Sequence, residues 1–481
     1  MKDFLKEWKM ATTERKGIVH PYIPNSVPEI KAEMMREIGI ADIEELYRII
    51  PDELRLKRRL DLPDPFLSES DLRRHVSGIL SKNRTCEENL NFLGAGCWQH
   101  YVPAVCDEIN GRSEFLTAYG GVPYTTLGRF QAYFEFQSQM GELLNMDVVS
   151  VPTYSWGTAA GHAIRMASRI TQRDEVLIGK TVDPERREVI RTFCQSPNVR
   201  TRIDIRLIDY DTETGLLNLQ DLEEKISSRT AAIYIENPNY FGTIESQGQD
   251  ISNIAHRRGA ISIVGVDPIT LGILIPPADY GADIAVGTAQ TLGIHMHCGG
   301  GVTGFIASRD EEQYVAEYPL FLISLTDTVE KGEYGFGQCT YERTSYMSRD
   351  KAKDWVGTVT GLWTITAAVY MALMGPQGFR DIGRTIVHKT HYAIKRISEV
   401  KGIRVLFDSR AFREFVVNFD GTGKSVKDVN DALLEHNIFG GKDISKDFPE
   451  LGNSALYCVT EIHTQENIDK LACTLQEVLA K

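Results

Sequence analysis

The chain has 481 residues, enough for two or three domains with a well-buried main core. Its 53 Lys and Arg against 66 acids, a formal charge of -13, argue against a nucleic-acid or anionic-membrane partner, either of which needs a basic face. The opening MKDFLKEWKM lacks an apolar signal core, and no uninterrupted apolar stretch reaches the roughly 20 residues of a membrane span, so no membrane association and a cytoplasmic location are expected.

From Tyr22 to about Asn83, charged stretches with periodic apolar positions and intervening prolines predict short helices that wrap something larger, an N-terminal segment over 1–85. From about Phe136, helical patterns alternate with β-branched runs: DEVLIG at 174, IDIRLIDYD at 203, AAIYIE at 231, ISIVGVD at 261, DIAVGT at 283 and GVTGFIAS at 301. One intervening helix, GQDISNIAHRRGA, is expected to be capped by Asp250 and to end at Gly259. Strand and helix at this spacing predict a large α/β domain over 86–345, its mainly parallel sheet covered on both faces and its active site at the carboxyl ends of the strands. An apolar helical stretch, WVGTVTGLWTITAAVYMALMG, breaks at Gly375-Pro376. It reads as a buried connector into a smaller α+β domain, 346–481. The eight scattered cysteines contain no CxxC pair and read as reduced, mostly buried thiols.

Four places could carry chemistry. Ser155, Trp156, Gly157 and Thr158 precede a clean helix that also holds His162; hydroxyls and free N–H groups there suit a phosphate, and equally an ordinary N-cap. Asp267 ends an apolar strand, where a carboxylate can hold a pyridinium nitrogen protonated or can simply start a turn. Asn237, in ENPNYFG, sits at a strand end and reads as either rim or turn. His295, His297 and Cys298 in HMHCGGG suggest zinc, but a complete site needs further ligands at plausible spacing, and no metal is expected. The fingerprints of serine hydrolases, P-loop enzymes and dinucleotide binders are absent.

Several longer stretches carry a resemblance. FLGAGCWQHYVPAVCDEINGRSEFLTAY (92–119), FQAYFEFQSQMGELLNMDV (130–148), DPERREVIRTF (183–193), NPNYFGTIE (237–245), DPITLGILIPPADYGADIAVG (267–287), AFREFVVNF, LLEHNIFGG and CVTEIHTQENID resemble the first (alpha) subunit of the two-subunit P-protein, the glycine dehydrogenase (decarboxylating) of the glycine cleavage system. The resemblance implies a three-layer pyridoxal-phosphate transferase fold (fold type I). It further implies a division of labour: the second, homologous subunit carries the Schiff-base lysine, pyridoxal 5'-phosphate and aminomethyl transfer to a lipoyl carrier protein, and the first is its mate. In this chain the lysine position falls on Gln290, whose amide cannot form an internal aldimine. Ser155, Trp156, Gly157, Thr158, His162, Asn237, Asp267, Gln290 and His295 are the positions that would face a cofactor. Lys180, the nearest other amine, is expected to be an ordinary surface lysine.

The chain departs from the family at GGVPYTTLGRF (120–130), at RDKAKDWVGTVTG (349–361) and at GGG (299–301). Three functions therefore compete: a subunit supporting a lysine-bearing partner, in a dimer or α2β2 tetramer; a paralogue holding pyridoxal or pyridoxamine phosphate non-covalently for another amine or amino acid; and a non-enzymatic scaffold whose pocket is filled by side chains such as Trp156 and Tyr240.

Overall fold

The structure is a computed structural model that describes residues 19–480 apart from 20–21, 59, 64–65, 67, 117–122, 198, 200, 300–302, 340–342, 358–359 and 408–409. Two compact units divide it, one through Asn83 and the other from Arg84. In the first, helices α1 (Pro28–Ile38) and α2 (Glu69–Leu80) form where the apolar periodicity predicts short helices. Gly39, at φ 82°, stops α1 with a left-handed cap, and the Ser68 hydroxyl caps α2 by accepting the Asp71 N–H.

The second unit is built on a seven-stranded sheet of β1 (Val148–Val149), β2 (Glu175–Gly179), β3 (Asp204–Ile208), β4 (Thr230–Glu236), β5 (Ile261–Val266), β6 (Ile284–Thr288) and β7 (Gly304–Ser308), in the order β1-β7-β6-β5-β4-β2-β3. All pairings are parallel except those of β7 with β1 and β6. Strands β2, β4, β5, β6 and β7 are buried at every residue, so their alternate side chains feed two cores. Leu177, Ile233, Val264 and Ala285 join one core, and Val176, Tyr234, Ile263 and Val286 the other.

Helices α3 (Pro123–Leu144), α4 (Trp156–Thr171), α5 (Pro184–Gln195) and α6 (Gly248–Arg257) accompany the strands. Gln247, not Asp250, is the N-cap of α6; Asp250 lies inside the first turn, where its charge still complements the helix dipole. Helix α7 (Gly361–Ser398) contains the expected break, Gly375 at φ 57° and ψ -179° before Pro376. It begins at Gly361, so Trp355 and Val356 lie outside it. A second sheet, ordered β8-β9-β11-β10, combines β8 (Arg404–Leu406), β9 (Glu414–Asn418), β10 (Lys442–Asp443) and β11 (Ser454–Cys458). Its core, with Phe415, Val417 and Tyr457, takes Ala393 and Ile397 from α7, Val429 from α8 (Val426–Glu435) and Leu471 from α9 (Gln465–Ala480). Among the described residues no helix is long and apolar enough to cross a membrane.

Candidate functional site

Parallel strands deliver their carboxyl ends to one rim, where Asp183 follows β2, Asn237 follows β4, Asp267 follows β5 and Gln290 follows β6. Ser155, the N-cap of helix α4, shares a cavity with the loops after β2 and β6.

Asp267, 2% exposed, has both carboxylate oxygens engaged. Oδ1 accepts the Thr291 hydroxyl at 2.7 Å and the Ile269 N–H at 3.3 Å, and Oδ2 accepts Nη2 of Arg413 at 2.6 Å. Arg413 itself is 3% exposed, and it holds a left-handed backbone (φ 63°) that costs a non-glycine residue about 1 kcal/mol. Its guanidinium lies 3.7 Å from the centre of the Trp98 ring and donates through Nη1 to His100 Nε2 at 2.9 Å. Because a guanidinium can only donate, Nε2 is the acceptor, leaving Nδ1–H of His100 for Glu461 Oε2 at 2.7 Å. Burial would raise the Glu461 carboxyl, but His100 and the Tyr101 N–H outweigh it and hold the group down at about 2. Asp267, Arg413, His100 and Glu461 thus form a buried chain of alternating acceptors and donors.

Gln290, also 2% exposed, is equally occupied. Its Oε1 accepts the Trp98 N–H at 3.2 Å, and its Nε2 donates to the carbonyls of Trp98 at 3.0 Å and Ile294 at 3.2 Å. The amide clamps the 97–99 segment and thereby helps seat the Trp98 indole beside Arg413.

At the start of α4, the Ser155 hydroxyl accepts the Thr158 N–H at 3.2 Å and meets the Thr158 hydroxyl at 3.0 Å, as an N-cap does. Gly157 permits close packing of α4 on α5, since a Cβ there would lie 3.0 Å from Val189. Trp156 donates to the Tyr234 hydroxyl at 3.0 Å, and that hydroxyl donates to Glu236 at 2.9 Å. Arg186 lies 4.2 Å over the Trp156 ring and grips Glu236 with two bonds of 2.7 and 2.9 Å. These groups border a cavity of about 250 Å³ lined by Cys97, Ser155, Gly157, Arg186, Thr288 and Gln290. Beside Asp267, enclosed by Trp98, Trp156, Tyr240 and Arg413, the gap is only about 20 Å³.

The remaining expected positions do not line these spaces. His162 is buried against Asp354, 3.1 Å away, and against the Phe193 ring. Asn237 ties its own loop, donating to the Glu245 carbonyl and accepting the Glu245 N–H at 3.0 Å. His295 is exposed and pairs with Asp107 at 3.0 Å, while His297 packs on Trp363. Lys180 is less free than expected of a surface lysine, being 2.8 Å from Glu450 and 5.7 Å from the centre of the Tyr210 ring. Of the altered stretches, residues 120–122, 300–301 and 358–359, with the side chains of 123–127, lie outside the described residues. Trp98, Arg186, Arg413 and Glu461 escape the residue-by-residue reading, although each falls within a stretch that carries the resemblance: GCWQHY, DPERREV, AFREFVVNF and CVTEIH.

A family model described as "Glycine cleavage system P-protein" matches residues 20–475. The chain belongs to the glycine cleavage system P-protein family. "Probable glycine dehydrogenase (decarboxylating) subunit 1" of Staphylothermus marinus is 39% identical over 468 residues, covering 96% of this chain and 98% of the relative. The protein of the same name in Carboxydothermus hydrogenoformans is 38% identical, covering 94% and 98%. A crystal structure of the P-protein glycine decarboxylase in inhibitor-bound form aligns with a TM-score of 0.83 at 31% identity, over 96% of this chain and 100% of that one. Sphingosine-1-phosphate lyase of Burkholderia pseudomallei, at 14% identity, a TM-score of 0.61 and coverage of 88% and 93%, shares the fold alone. The fold is that of the fold type I pyridoxal-phosphate enzymes, and the family ties the chain to the glycine cleavage system.

Proposed function

We propose that this chain is the supporting, subunit 1-type half of a two-subunit glycine dehydrogenase (decarboxylating), and that its homologous partner holds the lysine, the pyridoxal phosphate and the decarboxylation of glycine. The observation that carries this reading is the state of the rim where a fold of this type would hold the cofactor. Three requirements go unmet in this chain: an amine at position 290, a carboxylate on β5 free to meet a ring nitrogen, and space between them. Position 290 is a glutamine clamped to Trp98, Asp267 is bound to Arg413, and the gap beside Asp267 is about 20 Å³, room for about one water and not for a pyridine ring. The residues present therefore do not fit pyridoxal phosphate. The filled-pocket expectation points to the same closure, with Trp98 and Arg413 joining Trp156 and Tyr240 as the filling groups.

Co-expression with a lysine-bearing homologue tests the reading. The expected complex contains one pyridoxal phosphate per pair of subunits, and borohydride followed by mass spectrometry of the separated chains places it wholly on the partner. A pyridoxyl adduct on this chain, or glycine decarboxylation by this chain alone, would refute the assignment.

A further inference from the structure

A further cavity, about 220 Å³ in volume, collects four cations in a chain whose formal charge is -13. Arg165 and Arg169 reach it from α4, and Lys351 and Lys353 from 349–361, a stretch in which the chain departs from its family; Thr201 adds a hydroxyl. Arg165 follows Ser155 by about 15 Å along the helix axis, so this cavity is separate from the rim.

Two carboxylates pair with these cations, yet no carboxylate among the described residues lines the cavity. Asp354 Oδ2 accepts Arg165 Nε at 2.8 Å and lies 3.5 Å from Arg169 Nη1. Glu317 Oε2 accepts Arg169 Nε at 2.5 Å, and its Oε1 pairs with Lys353. Burial would raise the Asp354 carboxyl, but His162 and Arg165 outweigh it and hold the group well below the usual carboxylate range, so it stays charged. Lys351 has no ion-pair partner among the described residues. Four cations against two carboxylates leave two positive charges unmatched at the cavity. The C-terminal end of α4, worth about half a negative charge, does not close that difference. The side chains of Arg165 and Arg169 are 15 and 20% exposed, so water and salt screen their charge only in part.

We infer that this cavity binds a phosphate-type dianion, either free phosphate or the phosphate group of a small ester. The planar N–H forks of the two guanidinium groups suit the oxygens of such an anion, and Lys351 and Lys353 supply point charges beside them. The volume is far above the ~10–15 Å³ that one water needs and below the ~300–1,000 Å³ of pockets for drug-sized ligands, which fits a group of phosphate size and not a large cofactor. Bound there, the anion joins α4 to the altered stretch. The site is complete within this chain and independent of any partner subunit.

Calorimetric titration of the full-length chain with inorganic phosphate and, in a second arm, with glycerol phosphate, both in chloride buffer of constant ionic strength, tests this. One saturable site per chain is expected, and the tighter arm shows which source the site prefers. Lys351→Glu has no ion pair to break, so the thermal midpoint in phosphate-free buffer should stay as in wild type. Its binding is expected to weaken at least about 10-fold, the worth of one charge-assisted hydrogen bond, whereas Lys351→Arg retains binding. Three outcomes would overturn the inference: no saturable binding in either arm at millimolar ligand, equal affinity of wild type and Lys351→Glu, or saturable binding to phosphatidylserine vesicles with none to either phosphate.

Discussion

Replacing Arg413 by Met removes the cation that faces Asp267 while keeping most of the apolar stem. The two side chains are 3% and 2% exposed, so no solvent reaches the carboxylate left behind. Breaking one side of a buried pair of this kind costs about 3–5 kcal/mol. The lower end is expected, since Thr291 and the Ile269 N–H still hydrogen-bond Asp267. With an unfolding entropy of about 2.1 cal/mol/K per residue and a cooperative unit of about 400 residues, that lower end is a fall of about 4 °C in thermal midpoint. Asp267→Leu with Arg413→Met removes both charges and is expected to recover most of the loss. Scanning calorimetry on the three proteins reads the effect. A single variant within 1 °C of wild type, or a double variant no better than the single, would show that the pair does not hold the closed site together.

Gln290→Lys leaves the Trp98 N–H without its acceptor and buries an amine beside it, so a loss of about 2–4 kcal/mol is expected. No pyridoxyl adduct should follow borohydride treatment, because Arg413 still holds Asp267 and Trp98 still fills the gap; an adduct would disprove the closure. Glu461 should leave an acid signature: its folded pKa, about 2, is below the unfolded value near 4.5, so its contribution is full above pH 5 and is lost as pH falls from about 4.5 to 2. The difference is worth on the order of 3 kcal/mol, and Glu461→Gln should flatten the acid limb of a urea midpoint against pH curve. Gly242 has φ 80° and a Cβ there would lie 1.9 Å from the Glu414 carbonyl oxygen, so Gly242→Ala should cost about 3 kcal/mol or more and cut soluble yield sharply. Normal yield with wild-type circular dichroism would contradict the packing. Of the eight cysteines, only Cys298 and Cys473 are exposed, and burial pushes the Cys97 and Cys106 thiols up to about 11; a thiol reagent should find two fast sites in the native protein.

The parallel strands were legible because burial on both faces demands unbroken β-branched runs, and AAIYIE and ISIVGV have no other use. The hairpin of Ile323–Asp327 and Tyr334–Gln338 was not, since its glycines and largely exposed residues dilute the pattern. Nor was β10, a two-residue edge strand whose place is set by Leu456 and Ala455 of β11. The resemblance singles out Gln290 as a position of interest, but what its side chain holds could not be read from the sequence. That depends on Trp98, 192 residues away, and on Arg413, 146 residues beyond Asp267. Local spacing carries no trace of such contacts, and Arg413 looks like any charge ahead of a strand until the second sheet brings it to the rim.

The Asp267–Arg413–His100–Glu461 chain also bears on how readily this protein could change its role. Installing a functional lysine at position 290 would ask for more than one substitution, because the carboxylate, the guanidinium and the indole come from three separate stretches of polypeptide and support one another. Withdraw any single member and a buried charge or N–H is stranded before any benefit appears. The polar core therefore works as a ratchet: each single substitution toward a lysine-bearing site at this rim passes through a less stable protein, so the closed arrangement is held in place by its own packing.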